Sequence, residues 1–395
     1  MSQKLTVRSP DVDRLRNEGF NVQLVAGFML VHEIPYVTSN RVVKRGTLAM
    51  KLVLAGDVVA KPEDHVAYFV GEHPCNADGS PIEGLRNSSA PPAIAQGVTA
   101  NFTFSARPKT PFESYHAKVL NYHAILSAPA KTIEPGASGR TFTPQIPDEC
   151  DNSVFNYHDT ASTRAEIQAI SAKLALEHVA IVGLGGTGSY VLDLVAKTHV
   201  RKIHLFDGDS FFTHNAFRAP GAASLEELRT KSRKVEYLAE IYGKMHRGIV
   251  VHPHHLDSTN VDLLRPMQFV FVCMDDAPAK KAIFDSLHEW SIPFVDVGMG
   301  IYVGEGGLGG TLRVTASTPA KRDHVPTRIS LAEGRGENEY AKNIQVADLN
   351  ALNAALAVIR WKKLFGFYMD YEREHHSTYG IEVHLLTRDE KLHET

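Results

Sequence analysis

The sequence predicts an α/β fold in which a mainly parallel sheet is covered by helices on both faces, preceded by a small α+β domain. Short apolar strands alternate with helical segments after residue 178, as in VAIVG (179–183) followed by SYVLDLVAKT (189–198). Strands that read as continuous apolar runs are typical of parallel sheets buried on both faces. A length of 395 residues, of which 43% are hydrophobic, indicates two globular domains rather than one.

The first domain is expected over residues 1–133, where β-like stretches broken by turns are followed by one helix. That helix is expected at about 112–127, and the mixture predicts a compact α+β domain. A stretch rich in Pro, Gly and Ser follows and predicts a linker over 134–155. The second domain is expected over 156–395, and it opens with a helix from about 162 to 176.

Within the second domain, apolar runs alternate with helical patterns and predict each element in order. Parallel strands are expected at 179–183, 202–207, 249–256, 269–275 and 292–298, and an antiparallel strand at 309–317. Helices are expected at 189–198, 226–243, 278–290 and 340–364. The last of these is the longest helix that the sequence predicts.

The composition argues against several classes of function. A net charge of -3 leaves no footprint for nucleic acid or for an anionic membrane. The N-terminal stretch MSQKLTVRSPDVD lacks the apolar core of a signal peptide, and the apolar run at 269–274 is too short to cross a bilayer. Three widely spaced cysteines form neither a disulfide framework nor a zinc site. We therefore expect a cytoplasmic protein that binds no membrane.

A glycine-rich turn separates the first strand of the second domain from the helix after it. The run VAIVGLGGTGSY contains Gly183, Gly185, Gly186, Thr187 and Gly188. Glycine permits a tight turn and lets backbone N–H groups approach a phosphate at the helix N-terminus. Asp207 ends the next strand, where a carboxylate can bond ribose hydroxyls. The turn predicts a Rossmann-like nucleotide site, and by itself it also fits an NAD-dependent oxidoreductase or a purely structural turn.

Further polar residues follow the glycine turn in a fixed order. They are Asp207-Gly-Asp209, Asn215-Ala-Phe-Arg218, Lys234 and, at the end of the fourth strand, Asp275. In this order the sequence resembles the ThiF-type adenylating enzymes, which include the adenylation half of ubiquitin-activating enzymes. The resemblance covers about 155–365 and implies a ThiF-type fold for the second domain. The whole chain is similar to bacterial ThiF-family proteins that carry an extra N-terminal domain.

The resemblance implies that the second domain binds ATP and Mg²⁺. Adenylation requires cations that neutralise phosphate oxygens and the departing pyrophosphate, and Arg218 and Lys234 would supply them. Asp275 would be the carboxylate associated with Mg²⁺. The remaining nucleotide-binding residues of the pattern are the glycine turn, Asp207, Asp209 and Asn215. Asp209 could instead orient the loop that carries Asp207.

Other positions also have alternative interpretations. Lys231 stands in the same charged segment as Lys234 and is the other candidate lysine. Asp276, next to Asp275, could cap the helix that follows. Arg164 lies where the family carries an arginine that reaches into the ATP site of the partner subunit. The resemblance therefore implies a homodimer, to which the apolar helix at 340–364 could contribute.

The cysteines limit what can follow adenylation. Ubiquitin-activating enzymes hold the modifier as a thioester on a cysteine beyond the adenylation core, and no cysteine follows Cys273 in this chain. Cys273 lies on an apolar strand and is expected to be buried and inert. Cys75 and Cys150 remain as candidate acyl acceptors. The run HPCNADGSP around Cys75 resembles the H-P-N…G segment of ubiquitin-conjugating enzymes, with the cysteine in a different register.

Metal ligation by sulfur is not expected. Many relatives hold zinc with two C-x-x-C pairs, which this sequence lacks. The clustered histidines have no acidic residues at a supporting spacing, so we expect them on the surface. They are His252, His254, His255, His375 and His376.

The function expected from the resemblance is ATP-dependent adenylation of the C-terminal carboxylate of a ubiquitin-like or sulfur-carrier protein with a Gly-Gly tail. The products would be an acyl-adenylate and pyrophosphate, without an evident downstream thioester cysteine. The glycine-rich run at 298–310 predicts a flexible lid or a strand that binds the tail, and its glycines could equally form hairpin turns. Related alternatives are adenylation of a ribosomal peptide or of a carboxylate on tRNA. An NAD-dependent oxidoreductase and an inactive scaffold are the alternatives outside this chemistry.

Overall fold

The computed structural model describes residues 9–55, 58–88, 93–95, 98–147, 153–329 and 344–391. The chain divides into two compact units, Met1–Ile167 and Gln168–Thr395. Among the described residues, no helix has both the length and the apolar composition that crossing a membrane requires.

The first unit is a small α+β domain, as predicted. Its helices are α1 (Pro10–Asn17), α2 (Tyr115–Ile133) and α3 (Thr160–Arg164). Its strands are β1 (Asn21–Val25), β2 (Phe28–Val37), β3 (Val43–Lys51), β4 (Leu54–Ala55), β5 (Val58–Val59), β6 (Val66–Val70), β7 (Arg86–Ser88), β8 (Ala93–Ala95), β9 (Val98–Thr99) and β10 (Phe102–Ser105). The main sheet is antiparallel, in the order β1-β2-β3-β6-β10-β7.

Helix α2 builds the core of the first unit against this sheet. It begins after Ser114, whose hydroxyl caps the helix by accepting a hydrogen bond from the Ala117 backbone nitrogen. Its buried apolar side chains pack with those of β2, β3 and β6, and each such side chain stabilises the fold by about 1.5–3 kcal/mol. The fully buried members from α2 are Val119, Tyr122 and Leu126.

The segment predicted as a linker, 134–155, lies within the first unit. The Oε1 atom of Gln145 accepts hydrogen bonds from Arg16 Nε at 3.2 Å and from the Val22 backbone nitrogen at 3.1 Å. Gln145 Nε2 donates to the Phe20 carbonyl at 2.6 Å. This part of the segment is therefore fixed to the N-terminal helix and strand.

The second unit alternates strands and helices along the chain. Its helices are α4 (Gln168–Ser171), α5 (Gly186–Val195), α6 (Thr213–Ala216), α7 (Leu225–Thr230), α8 (Lys234–Gly243), α9 (Ala277–Glu289), α10 (Val325–Arg328) and α11 (Ala347–Leu364), with 3₁₀ turns at Ala172–Leu174 and Val261–Leu264. Its strands are β11 (His178–Val182), β12 (Lys202–Phe206), β13 (Ile249–His252), β14 (Phe269–Val272), β15 (Phe294–Gly304), β16 (Gly307–Ser317), β17 (Glu374–Gly380) and β18 (Leu385–Lys391).

The eight strands in the described part of the second unit form one mixed sheet, in the order β13-β12-β11-β14-β15-β16-β17-β18. The first five are parallel, and each later neighbour pairs antiparallel. One core joins the sheet to α5, α8 and α11 through residues such as Val191, Leu238 and Trp361. A second core includes Ile283 and Leu287 of α9. The predicted fold class, a mainly parallel sheet with helices on both faces, is confirmed.

Two helices that the sequence predicts as continuous are interrupted. The segment 226–243 forms α7 and α8, because Lys231 ends α7 in the left-handed conformation with φ +50°. The chain therefore turns just before Lys234 starts α8. The segment 162–176 is interrupted in the same way by Glu166, which has φ +56°.

The C-terminal part of the chain differs most from the predicted elements. Helix α11 begins at Ala347, and the first residues of the helix predicted at 340–364 lie outside the described part of the chain. Strands β17 and β18 form a hairpin where the sequence predicts none. These two strands carry mostly polar residues, so they lack the apolar alternation by which a half-buried strand is recognised.

Candidate active site

A cavity of about 470 Å³ lies at the carboxyl ends of the parallel strands in the second unit. Its lining comes from the glycine turn, from the loops after β12, β13 and β14, from β15 and from α11. Open α/β sheets bind ligands at this edge. The predicted site residues that line it are Gly183, Gly185, Gly186, Thr187, Asp207, Asp209, Arg218, Lys234 and Asp275. Of the predicted residues that the structure describes, Gly188, Asn215, Arg164 and Cys75 do not line it.

The glycine turn brings the start of α5 to the cavity. Gly183 has φ +87°, and a Cβ there would lie 2.7 Å from the Cys273 carbonyl oxygen, so glycine is required on both grounds. Gly185 is the N-cap of α5, and a Cβ at this position would have no atom of the described residues within 4 Å beyond its chain neighbours. The free N–H groups of the first helical turn, with their partial positive charge, are therefore next to open space.

The next glycines make close packing possible. A Cβ on Gly188 would lie 1.9 Å from the carbonyl oxygen of Gly183, and one on Gly186 would lie 2.2 Å from Asn350 Nδ2. Thr187 Oγ1 donates a hydrogen bond of 2.9 Å to Asn350 Oδ1. These contacts fix the N-terminus of α5 against α11, so Gly188 acts on the cavity through packing.

The two aspartates after β12 have different surroundings. Asp207 is 6% exposed, and its two carboxylate oxygens accept hydrogen bonds from the backbone nitrogens of Leu184 and Asp209, at 2.7 and 2.8 Å. The side chain of Asp209 is 54% exposed and stands at the cavity. The Lys234 ammonium beside it lowers the pKa of the Asp209 carboxyl. Asp207 thus fixes the two loops, and Asp209 is the more accessible carboxylate.

Lys234, and not Lys231, is the lysine of the cavity. Because Lys231 turns the chain, Lys234 begins α8 with its side chain buried beside the β12 loop. Its Nζ atom lies 2.6 Å from Asp209 Oδ2 and 3.7 Å from Asp207 Oδ2. Two carboxylates therefore hold a largely desolvated ammonium group at the cavity wall.

Arg218 brings a second cation to the cavity. Its Nε atom is buried and has no hydrogen-bond partner among the described residues. The short helix α6 positions it: Asn215 Oδ1 accepts from the Phe212 backbone nitrogen at 2.9 Å, and the Asn215 carbonyl accepts from the Arg218 backbone nitrogen at 3.0 Å. Asn215 is 3% exposed, so its contribution is to shape the loop that presents Arg218.

The two aspartates after β14 also divide their roles. Asp276 caps α9, since its Oδ1 atom accepts a hydrogen bond of 3.0 Å from the Ala279 backbone nitrogen. Asp275 is exposed and lines the cavity. A single carboxylate in this position fits Mg²⁺, which binds proteins through one or two carboxylates and keeps its other positions for phosphates and water.

Arg164 and the three cysteines complete the set of residues that the sequence singled out. Arg164 belongs to the first unit, where it donates a hydrogen bond of 2.8 Å to the Asn17 carbonyl. Cys75 is 2% exposed, and burial raises the pKa of its thiol, which makes it a poor nucleophile. Cys273 lines the cavity, and burial raises the pKa of its thiol as well. Cys150 lies outside the described residues.

The clustered histidines are less exposed than expected. His375 and His376 are buried, which corrects the expectation of surface positions. Each is accommodated because a neutral imidazole can hydrogen-bond in the interior, and His376 Nδ1 lies 3.0 Å from Thr315 Oγ1. Within the described ranges, no group of three or more His, Cys, Asp or Glu side chains could hold a metal ion.

Sequence reasoning missed the loop after β13. The predicted strand at 249–256 ends at His252, and the following loop brings His255, Leu256 and Asp257 to the cavity. The proline at 253 was the available signal, because proline interrupts the hydrogen bonding of a strand. The contribution of α11 was also missed: Asn353 lines the cavity.

Models of two protein families match the chain. The model of the ThiF family matches residues 162–359. The model of a domain of unknown function, DUF6791, matches residues 10–160.

Curated proteins and solved structures also resemble parts of the chain. Ubiquitin-like modifier-activating enzyme 5 of Drosophila ananassae is 24% identical over 139 residues, or 31% of this chain. The enzyme of the same name from Drosophila persimilis is 23% identical over 160 residues, or 36% of this chain. The chain spans only 33% and 40% of the lengths of these relatives.

Among solved structures, E. coli MccB with MccA-N7isoASN has a TM-score of 0.46 and 16% identity, covering 57% of this chain and 67% of that one. PaaA has a TM-score of 0.47 and 14% identity, covering 72% of this chain and 84% of that one.

Proposed function

Because the chain belongs to the ThiF family of nucleotide-binding, adenylating enzymes, we propose that its second unit binds ATP in the cavity and adenylates a carboxylate. A carboxylate oxygen attacks the α-phosphorus of ATP, and the bond from that phosphorus to the bridging oxygen breaks. The products are an acyl-adenylate and pyrophosphate. Both the nucleophile and the triphosphate are anions, so the site must supply positive charge at the reacting phosphate.

The proposal rests on the unsatisfied hydrogen-bonding capacity of Arg218. A guanidinium group lines the cavity with a buried Nε atom that has no hydrogen-bond partner among the described residues. Leaving a buried donor unpaired costs about 1–3 kcal/mol, and more for a charged group. A phosphate of ATP in the cavity would give this guanidinium an anionic partner, since arginine offers a planar fork that matches phosphate geometry.

Two further features favour the triphosphate. Lys234 adds a second cation at the same cavity, and the N-terminus of α5 adds backbone donors beyond Gly185. Asp275 would hold Mg²⁺, which would neutralise phosphate charge and favour departure of pyrophosphate. An NAD-dependent oxidoreductase would not need this pair of cations beside the glycine turn.

The substrate we propose is the C-terminal carboxylate of a ubiquitin-like or sulfur-carrier protein. The relatives named above are ubiquitin-like modifier-activating enzymes, which supports this class. Gly298 of β15 lines the cavity, and a Cβ on Gly300, farther along the same strand, would meet no atom of the described part of the chain within 4 Å beyond its chain neighbours. A thin Gly-Gly tail would fit along this strand toward the α-phosphate.

We propose that the reaction ends at the acyl-adenylate on this chain. Cys75 and Cys273 are unsuited to accept the acyl group because burial raises the pKa of both thiols. Any thioester on this chain would then form at Cys150.

The test is incubation of the whole protein with ATP labelled in its adenine ring and one candidate substrate at a time. The candidates are ubiquitin-like or sulfur-carrier proteins ending in Gly-Gly, ribosomal peptides and modified tRNA that carries a carboxylate. Formation of labelled acyl-adenylate on a Gly-Gly protein alone supports the proposal. If only the peptide or only the tRNA is adenylated, the proposed reaction stands but the proposed substrate is wrong. A thioester would instead release labelled AMP and leave the substrate joined to the protein by a thiol-labile bond, and Cys150→Ser would then locate it.

A homodimer in which Arg164 acts at the partner's site belongs to the same proposal. Arg164→Ala and Asp275→Asn proteins are each expected to be inactive, because each lacks one part of every site. Mixing them would form heterodimers with one intact site and restore part of the activity. A mixture that stays inactive, while sedimentation shows that the subunits exchange, would show that Arg164 does not act in trans.

A further inference from the structure

His255 stands at the rim of the cavity with 68% of its side chain exposed. The backbone of His255 is held in place, because the side-chain Nδ2 of Asn260 donates a hydrogen bond of 2.8 Å to the His255 carbonyl. The imidazole covers Gly208: a Cβ on Gly208 would lie 2.5 Å from the ring, and its three nearest atoms would all belong to that ring. Because Gly208 has no side chain, there is room for the imidazole.

Asp209 lies between His255 and Lys234. Its Oδ2 atom is 2.6 Å from Lys234 Nζ, a close ion pair. Its Oδ1 atom is 3.5 Å from His255 Nε2, too far for a strong hydrogen bond. The carboxylate is thus anchored on one oxygen, and the other oxygen lies next to the imidazole at the cavity.

The lining of the cavity sets the direction of a bound nucleotide. It combines two sets of groups: Arg218, Lys234 and the start of α5 supply positive charge for phosphate, and Phe206, Leu256 and Met274 supply apolar surface for a base. A nucleotide whose triphosphate meets the first set and whose base meets the second has its sugar between them. Asp209 bonds Lys234 of the first set, and His255 directly precedes Leu256 of the second.

We propose that His255 and Asp209 together bind the two ribose hydroxyls, and that His255 makes the site selective for ribonucleotides. One hydroxyl donates to Asp209 Oδ1, and His255 Nε2 forms a hydrogen bond with the other. The inference rests on the proposed function, since it assumes that ATP occupies the cavity. A deoxynucleotide would leave one of these groups without its partner, which lowers affinity about three- to tenfold.

The experiment measures dissociation constants of ATP, 2′-deoxy-ATP and 3′-deoxy-ATP by calorimetry with the whole protein. The wild type should bind both deoxynucleotides about three- to tenfold less tightly than ATP. His255→Ala should bind ATP less tightly by a similar factor and lose its discrimination against one of the two analogues. Gly208→Ala, which displaces the ring but keeps the imidazole, should change the constants in the same direction.

His214→Ala is the matched control, because His214 is an exposed histidine of the same unit that is not among the cavity-lining residues. It should bind all three nucleotides as the wild type does. If ATP binds but His255→Ala keeps full discrimination against both analogues, the role of His255 is overturned while the proposed function stands. If the wild type binds no ATP at all, the proposed function fails and the inference fails with it.

Discussion

The Oδ2 atom of Asp207 accepts a hydrogen bond of 2.7 Å from the backbone nitrogen of Leu184, which joins the end of β12 to the glycine turn. Its Oδ1 atom accepts from the Asp209 backbone nitrogen at 2.8 Å. One buried carboxylate therefore fixes both the turn that would receive phosphate and the loop that carries Asp209.

Asp207→Asn should destabilise the protein by about 1–3 kcal/mol, because an amide NH₂ would then face a backbone N–H and leave a buried donor unpaired. Urea unfolding of the second unit measures the change. Asp209→Asn is the control: its more exposed side chain can still accept from Lys234, so it should cost less stability. Equal losses in the two variants would contradict the structural role of Asp207.

Two glycines of the turn should respond differently to alanine. Gly185→Ala adds a methyl group to open space at the cavity, so stability should change by less than about 1 kcal/mol. ATP affinity should fall, because the methyl group stands where phosphate would bind. Gly188→Ala should lower the free energy of unfolding by about 2–4 kcal/mol, since its Cβ would lie 1.9 Å from the Gly183 carbonyl oxygen.

Thermal unfolding and ATP titration of both variants separate the two effects. A Gly185→Ala protein that folds and binds ATP with wild-type affinity would show that the phosphates do not lie against the turn.

Stability should fall as the pH is lowered from about 6.5 to about 4. Burial lowers the pKa of His204 to about 4, and its two ring nitrogens lie 3.0 Å from nitrogens of His178 and His252. The unfolded chain takes up the proton near pH 6.5, so the stabilising effect is complete above that value and is lost as the pH approaches 4. For His204 alone the loss is at most about 3 kcal/mol.

Urea unfolding at pH 7, 5.5 and 4.5 measures this slope. His204→Gln should flatten part of it, and the buried His375 and His376, whose pKa values burial also lowers to about 4, should account for more. If the free energy of unfolding depends on pH in the same way in the His204→Gln protein as in the wild type, the assignment of this effect to His204 is contradicted.

A buried charge cluster lies beside the cavity. Asp296 is fully buried, with Lys280 Nζ at 2.7 Å and Arg313 Nη2 at 2.6 Å from its carboxylate oxygens. Asp296→Ala should cost about 3–5 kcal/mol, because it leaves two cations without their partner. The control is Asp285→Ala, which removes an exposed partner of Lys281 and should cost less than about 1 kcal/mol. Equal losses of unfolding free energy in the two variants would show that the buried cluster does not stabilise the fold.

The sequence allowed the parallel core of the fold to be predicted closely. The strands expected at 179–183, 202–207 and 269–275 match β11, β12 and β14 to within a few residues, because an apolar run bounded by glycine or charge is a strong local signal. The hairpin of β17 and β18 could not be found in this way. Its strands are polar, and their pairing depends on neighbours distant in sequence.

The candidate site was predicted in composition but not in geometry. Arg218, Lys234 and Asp275 do lie at one cavity. Sequence order could not reveal that Asn215 and Asp207 are occupied by backbone hydrogen bonds, because those contacts depend on loop conformation. Pro253 indicated the end of the strand, but nothing in the sequence showed that His255 reaches the cavity, because its position depends on the bare backbone of Gly208.

The central claim, that Arg218 stabilises the transfer of adenylate from ATP, is tested most directly by ATP–pyrophosphate exchange. The assay uses a substrate carboxylate that the wild type activates, and compares Arg218→Ala with Arg229→Ala, which removes an exposed arginine of α7 that is not among the cavity-lining residues. Exchange should fall about 10²- to 10³-fold in Arg218→Ala and stay at the wild-type rate in Arg229→Ala. Exchange at the wild-type rate in folded Arg218→Ala protein would contradict the account.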